Sequence, residues 1–160
     1  MIGNSEARDS SREAGKFHVP AIWICRLALA GVFLAAAWPK LRDPAGFAKN
    51  IFNYQMLPDA AINPLAIFLP WLELFAALAL LFFPPLRRGA LWLISAMTVI
   101  FIGAIGSAMA RGINIDCGCF STTGGGMKTG WLHLLFDAVL LGVCIALARL
   151  DREKTARGPA

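Results

Sequence analysis

The chain has 160 residues, 58% of them hydrophobic and only 16% charged, with a formal net charge of +5. A soluble domain carries roughly 25% charged residues, so this chain lacks the charge to clothe one. No basic stripe with interleaved aromatics accompanies the positive charge, and no nucleic-acid partner is expected.

Residues 1–20, MIGNSEARDSSREAGKFHVP, read as a polar N-terminal tail. A signal peptide is not expected, because the tail is polar and the apolar run after it exceeds a signal h-region. That run, AIWICRLALAGVFLAAAWP (21–39), has the ~20 residues needed to cross a hydrocarbon core. It closes at Trp38-Pro39-Lys40, an aromatic and a lysine at interfacial depth. The next segment is only half polar, and Phe47, Ile51, Phe52 and Tyr54 predict an amphipathic stretch lying on the membrane surface. The second run is PLAIFLPWLELFAALALLFF (64–83), in which Pro70 should bend the helix or free a backbone carbonyl. The short PPLRRG turn makes it an antiparallel neighbour of the third run, ALWLISAMTVIFIGAIGSAMA (90–110). Small residues at Gly103, Gly106, Ser107 and Ala110 predict close helix contact there. The 111–129 loop holds Cys117-Gly118-Cys119 and the glycines of STTGGG, which form no phosphate loop because no strand precedes them and no Gly-Lys-Ser/Thr follows. The fourth run is GWLHLLFDAVLLGVCIALA (130–148), followed by a basic tail over 149–160.

None of the four runs alternates with period two, which excludes outer-membrane strands, and none has a polar face, which excludes a soluble bundle. The expected fold is all-α: a polytopic membrane protein whose four-helix transmembrane bundle spans 21–148 and whose first partner is the lipid bilayer. Alternating helices divide the basic residues unevenly. Arg8, Arg12, Lys16, Arg87, Arg88, Arg149, Arg152, Lys154 and Arg157 fall on one side, nine in all. Lys40, Arg42, Lys49, Arg111 and Lys128 fall on the other, five in all, with Arg26 inside helix one. Basic residues stay inside, so both termini are expected in the cytoplasm of a cell inner membrane, with the Cys117–Cys119 loop facing the periplasm. Disulfides persist there.

Cys-x-Cys is spaced too closely for a thioredoxin-like Cys-x-x-Cys site or a zinc knuckle. It can close on itself, with Gly118 easing the turn, and a strained exposed disulfide is more oxidising than a structural one. A redox-active pair, a structural bridge, a reduced pair in a tight turn and metal ligation all remain open on spacing alone. Arg111 would favour a thiolate nearby and Asp116 would oppose it. His133, early in helix four, can accept a proton from a thiol or quinol, or simply pack at the interface. Glu73 lies roughly 14 Å along helix two and Asp137 roughly 10 Å along helix four at 1.5 Å per residue. Asp137 shares a face with His133, four residues earlier. Carboxylates in hydrocarbon face a cavity or a partner, so with Lys40 and Arg26 they form either a polar track or a structural pair such as Glu73 with Arg26. Cys25 and Cys144 lie near the cytoplasmic ends, too far from Cys117 for direct exchange, and read as small buried residues.

From Arg26 to Ala148 the sequence resembles the DoxX-like superfamily, and within it the methylamine utilisation protein MauE family. The resemblance lies in an ordered set: Lys40, Asp43-Pro44, Phe47, Ile51, Tyr54, Leu57-Pro58, Leu69-Pro70-Trp71-Leu72-Glu73, Arg111-Gly112 and Asp116-Cys117-Gly118-Cys119-Phe120. It implies a four-helix integral membrane protein that supports the making of periplasmic methylamine dehydrogenase, through electron or disulfide transfer. By resemblance, a periplasmic thiol/disulfide protein and a membrane quinone are the implied partners, with Lys40, Tyr54 and Arg111 as cofactor-side residues and Cys117, Cys119, His133, Glu73 and Asp137 as catalytic ones. Two positions depart from the family pattern: Ser121 follows Cys-Gly-Cys-Phe where glycine is usual, and Phe136 stands where many members carry arginine. The competing class is a membrane scaffold or small-molecule transporter with a structural cysteine loop, though only Pro70 hints at the broken helices of transporters.

Overall fold

The computed structural model describes residues 3–112 and 131–156. The chain folds into helices throughout this region: α1 (Gly3–Arg42), α2 (Pro44–Asn53), α3 (Asp59–Phe82), α4 (Arg87–Ala110) and α5 (Trp131–Ala156), with a short 3₁₀ turn at Pro84–Leu86. Four segments are long and apolar enough to span a bilayer: Ile22–Arg42, Asp59–Phe82, Pro84–Ala110 and Leu132–Asp151. The four-helix membrane bundle expected from the apolar runs is therefore the observed architecture, with α2 as a short fifth helix beside it.

Within the bundle α1 packs on α3 and α5, and α4 packs on the same two helices. The spans thus form a ring in the order α1, α3, α4, α5, and the short connection through Pro84–Leu86 makes α3 and α4 antiparallel neighbours. Lipid tails are as apolar as leucine, so helix association in a membrane depends on close packing rather than on escape from water. The α1–α3 seam meets that need with alanines: Ala30, Ala37, Ala66, Ala76 and Ala77 are all buried. Leu29, Leu80, Leu91, Ile94 and Cys144 fill the centre. Ile24, Leu27, Phe68, Phe75, Trp92, Ile100 and Leu132 point outward and stay exposed, an apolar surface suited to lipid.

Several boundaries differ from the sequence expectation. The polar tail is helical from Gly3, and α1 runs through Pro20 and Pro39 without ending at either. Lys40 consequently sits inside the last turn of α1, two residues before its end. α3 begins at Asp59, five residues before the apolar run, and continues through Pro64 and Pro70. The amphipathic segment appears as α2: the Asp43 side chain caps it by accepting from the Gly46 backbone N–H at 2.8 Å, and Pro44 opens it. Among the described residues the close contact expected at Gly103 and Gly106 is not made, because a Cβ on either glycine would meet none of them within 4 Å. Close packing falls instead to Ile105 and Ala108 on the inward face of α4.

Candidate functional site

The C-terminal end of α1, the whole of α2, the start of α3, the C-terminus of α4 and the start of α5 gather at one end of the bundle. Lys40 is the centre of this end. Its side chain is 1% exposed, and its Nζ donates to Glu73 Oε1 at 2.6 Å, with Glu73 equally buried. Two rings flank the ammonium, Phe47 of α2 at 5.1 Å and Phe101 of α4 at 5.2 Å from their centroids. A bare ammonium in hydrocarbon is costly; a carboxylate and two aromatic faces offset that cost. Local sequence explains the placement: Asp43 caps α2, Pro44 sets its direction, and Phe47, one turn on, lands over Lys40.

Of the arrangements left open by the sequence, the pairing of Glu73 with Arg26 is not the one formed: Lys40 takes the carboxylate. Arg26 makes its ion pair with Asp151 of α5 at the opposite end of the bundle. Arg26 and Lys40 lie on one helix about 21 Å apart at 1.5 Å per residue, so Glu73 can reach only one of them.

Beside the Lys40–Glu73 pair is a small cavity of about 30 Å³, lined by both residues together with Thr98, Phe101, Phe136 and Asp137. Glu73 Oε2 is buried and has no hydrogen-bond partner among the described residues. One water needs roughly 10–15 Å³ of such space, so the cavity suits water beside an open carboxylate oxygen. The Thr98 hydroxyl donates to the Ile94 carbonyl at 2.9 Å. Asp137 of α5 lines the same cavity, within electrostatic range of His133 and Lys40.

Tyr54 follows α2 and is half-buried. Burial, with the Asp137 carboxylate adding to it, pushes the phenol up to about 12, so it stays a neutral hydrogen-bond donor at any physiological pH. Arg111 ties this corner together. Its guanidinium donates to the carbonyls of Tyr54 at 2.5 Å, Gln55 at 3.2 Å and Ser107 at 3.2 Å. Gln55 holds a positive φ of 49°, and Gly112, at φ 68°, ends α4 with its N–H on the Met109 carbonyl. The Arg111-Gly112 dipeptide thus clamps the segment after α2 to the end of α4. Cys117 and Cys119 themselves lie outside the described residues, as does the rest of 113–130.

Lys40, Glu73, Asp137, His133, Tyr54 and Arg111 therefore meet at one end, and Arg26 does not join them. Phe101 and Thr98 are additions that sequence reasoning missed; both lie in an apolar run with nothing to distinguish them from core or lipid-facing neighbours. The sequence profile described as methylamine utilisation protein MauE matches residues 19–150. The chain belongs to the MauE family. A methylamine utilization protein MauE from Methylophilus methylotrophus is 38% identical over 128 residues, covering 79% of this chain and 67% of the relative. The MauE protein of Paracoccus denitrificans is 35% identical over 130 residues, covering 79% and 68%. No solved structure matches the chain. The MauE match takes in the whole cluster at residues 40–137, so its geometry describes a part of the chain shared with these relatives.

The cavity against Glu73 is by itself too small to hold a quinone. Pockets for ligands of that class run to roughly 300–1,000 Å³, and the cavity against Glu73 has about 30 Å³.

Proposed function

We propose that the chain is an inner-membrane thiol–disulfide component that supports maturation of a periplasmic methylamine-utilisation protein, with both termini in the cytoplasm. One observation carries this reading: the buried Lys40–Glu73 pair and Asp137 assemble at the bundle end where α4 stops and α5 starts, with Cys117 and Cys119 between those helices in sequence. In sequence the cysteines stand between the Arg111-Gly112 clamp at the end of α4 and α5, the helix that bears His133 and Asp137.

In the proposed step, one thiol of Cys117 and Cys119 loses its proton to the His133–Asp137 pair. The thiolate attacks a disulfide of the partner protein and forms a mixed disulfide, releasing one partner thiolate. The second cysteine resolves it, so that two thiols become one disulfide here and one disulfide becomes two thiols on the partner. The protons from Cys117 and Cys119 end on the partner sulfurs, which balances the exchange without a further oxidant. Its reverse inserts a disulfide into the partner. No step passes through a quinone.

A second reading, a scaffold with a structural loop, draws support from Arg111, whose guanidinium is engaged by three carbonyls. Growth on methylamine separates the two in a host that requires a MauE protein. The Cys117→Ser/Cys119→Ser double variant should accumulate in the membrane yet fail to restore growth. Restoration to the wild-type rate would rule out cysteine chemistry and leave the scaffold.

A further inference from the structure

The opposite end of the bundle carries a second polar feature that thiol chemistry does not use. A pocket of about 470 Å³ opens among Trp23, Arg26, the Pro84-Pro85 turn, Arg87, Arg88 and Asp151. These residues come from the starts or ends of spanning segments: Trp23 and Arg26 near the start of Ile22–Arg42, Arg87 and Arg88 in the first turns of Pro84–Ala110, and Asp151 as the last residue of Leu132–Asp151. The pocket therefore lies at the depth where hydrocarbon gives way to headgroups.

Among the described residues, three arginines and one aspartate line it. The arginines are held in place. Arg26 and Arg87 lie over the Trp23 ring at 5.7 and 5.0 Å from its centroid. Arg87 caps α3 by donating to the carbonyls of Leu80 at 3.3 Å and Leu81 at 3.4 Å, and Arg88 donates to the Asp151 carbonyl at 3.2 Å. Each guanidinium has five N–H groups, and Arg87 engages two of them in these bonds, so donors remain for an anion. The N-terminus of α4, the positive end of a 24-residue helix, lies at the same place. Exposed Trp92, four residues after Arg88 on the same face, and exposed Phe82 and Phe83 offer apolar surface on the bilayer side.

We propose that this pocket binds the phosphodiester headgroup of an anionic phospholipid, with the acyl chains lying along the outer surface of α3 and α4. Basic pockets between transmembrane helices select such lipids because the headgroup charge is met by arginine forks while the tails stay in hydrocarbon. The site needs no assumption about which leaflet it faces.

The test uses the full chain in neutral detergent, titrated with phosphatidylglycerol and with phosphatidylcholine and read by native mass spectrometry. Wild type should retain one phosphatidylglycerol per chain in preference to phosphatidylcholine. Arg87→Gln should weaken that binding roughly five- to tenfold. Arg149→Gln removes the same charge from an exposed position on α5 and should change it less than about twofold, since diffuse attraction is spread over many residues. If Arg87→Gln does not accumulate, Arg88→Gln gives the same comparison. Inorganic phosphate at millimolar concentration should not displace the lipid. Equal losses in the Arg87 and Arg149 variants, no preference over phosphatidylcholine, or displacement by free phosphate each overturn the proposal, the last by assigning the site to a soluble anion.

Discussion

Removing Lys40 alone should destabilise the bundle severely, and removing both members of its ion pair should not. Both side chains are 1% exposed and meet at 2.6 Å, so Lys40→Met leaves the Glu73 carboxylate in hydrocarbon with neither oxygen paired. Breaking a buried pair in this way costs about 3–5 kcal/mol, most of it the stranded charge, and protonation of Glu73 limits the loss. Methionine keeps the apolar contact with Phe47 and Phe101 but gives up two cation–π contacts worth roughly 0.5–2 kcal/mol each. The double variant Lys40→Met/Glu73→Met strands no charge and should lie within about 1–2 kcal/mol of wild type. Unfolding the purified protein in mixed micelles by graded denaturing detergent, with all four members of the cycle, gives a coupling energy directly. It should be at least about 2 kcal/mol. Single variants that each lose less than about 1 kcal/mol, or losses that simply add, would refute the argument from burial. Function then separates the roles: a stable double variant that no longer supports growth on methylamine assigns the pair to the chemistry, and one that does assigns it to structure.

Tyr54 is the only tyrosine, so tyrosinate absorbance reports it alone. The midpoint should fall near 12, above the ordinary 10.0, and Asp137→Asn should lower it. Because the folded-state value is the raised one, the stability from keeping this phenol neutral is complete below pH 10 and is lost as pH climbs from 10 towards 12. Gly46→Ala should cost about 1 kcal/mol by breaking the α2 cap, since its Cβ would sit 2.1 Å from Asp43 Oδ2; Gly31→Ala, where a Cβ meets nothing, is the control. An impermeant thiol reagent should label Cys117 or Cys119 from outside intact cells after mild reduction, as the nine-to-five basic asymmetry requires. Labelling of that loop only from the cytoplasmic side would reverse the orientation.

Much of the fold was legible because a membrane imposes one rule on every span: about 20 apolar residues with all backbone bonds satisfied internally. That rule finds four spans but not their ends. Apolar runs stop at the first polar residue, whereas α1 continues through Pro39 to Arg42 and α3 starts at Asp59, because a helix end is set by capping and packing. Charge alone offers Glu73 two cations on α1, Arg26 and Lys40, and the packing of α1 against α3 decides for Lys40. The convergence of Glu73 and Asp137 with Lys40 was foreseeable, since ionisable groups in hydrocarbon seek one another. The aromatic flanks on Lys40 were not, because Phe101 is one phenylalanine among eleven in the chain. Nor did the glycines of α4 reveal their role: small residues permit close approach without requiring it.

The central claim, that Cys117 and Cys119 exchange disulfides with a partner protein, is met most directly by non-reducing electrophoresis of the two single variants from native membranes. Losing the resolving thiol stalls the exchange at the mixed disulfide. Cys117→Ser or Cys119→Ser, whichever keeps the attacking thiol, should carry a reducible covalent adduct with a periplasmic protein. Wild type and the double variant should not. Absence of any adduct from both single variants, with each losing stability to the same extent, would contradict the claim and identify the pair as a structural clasp.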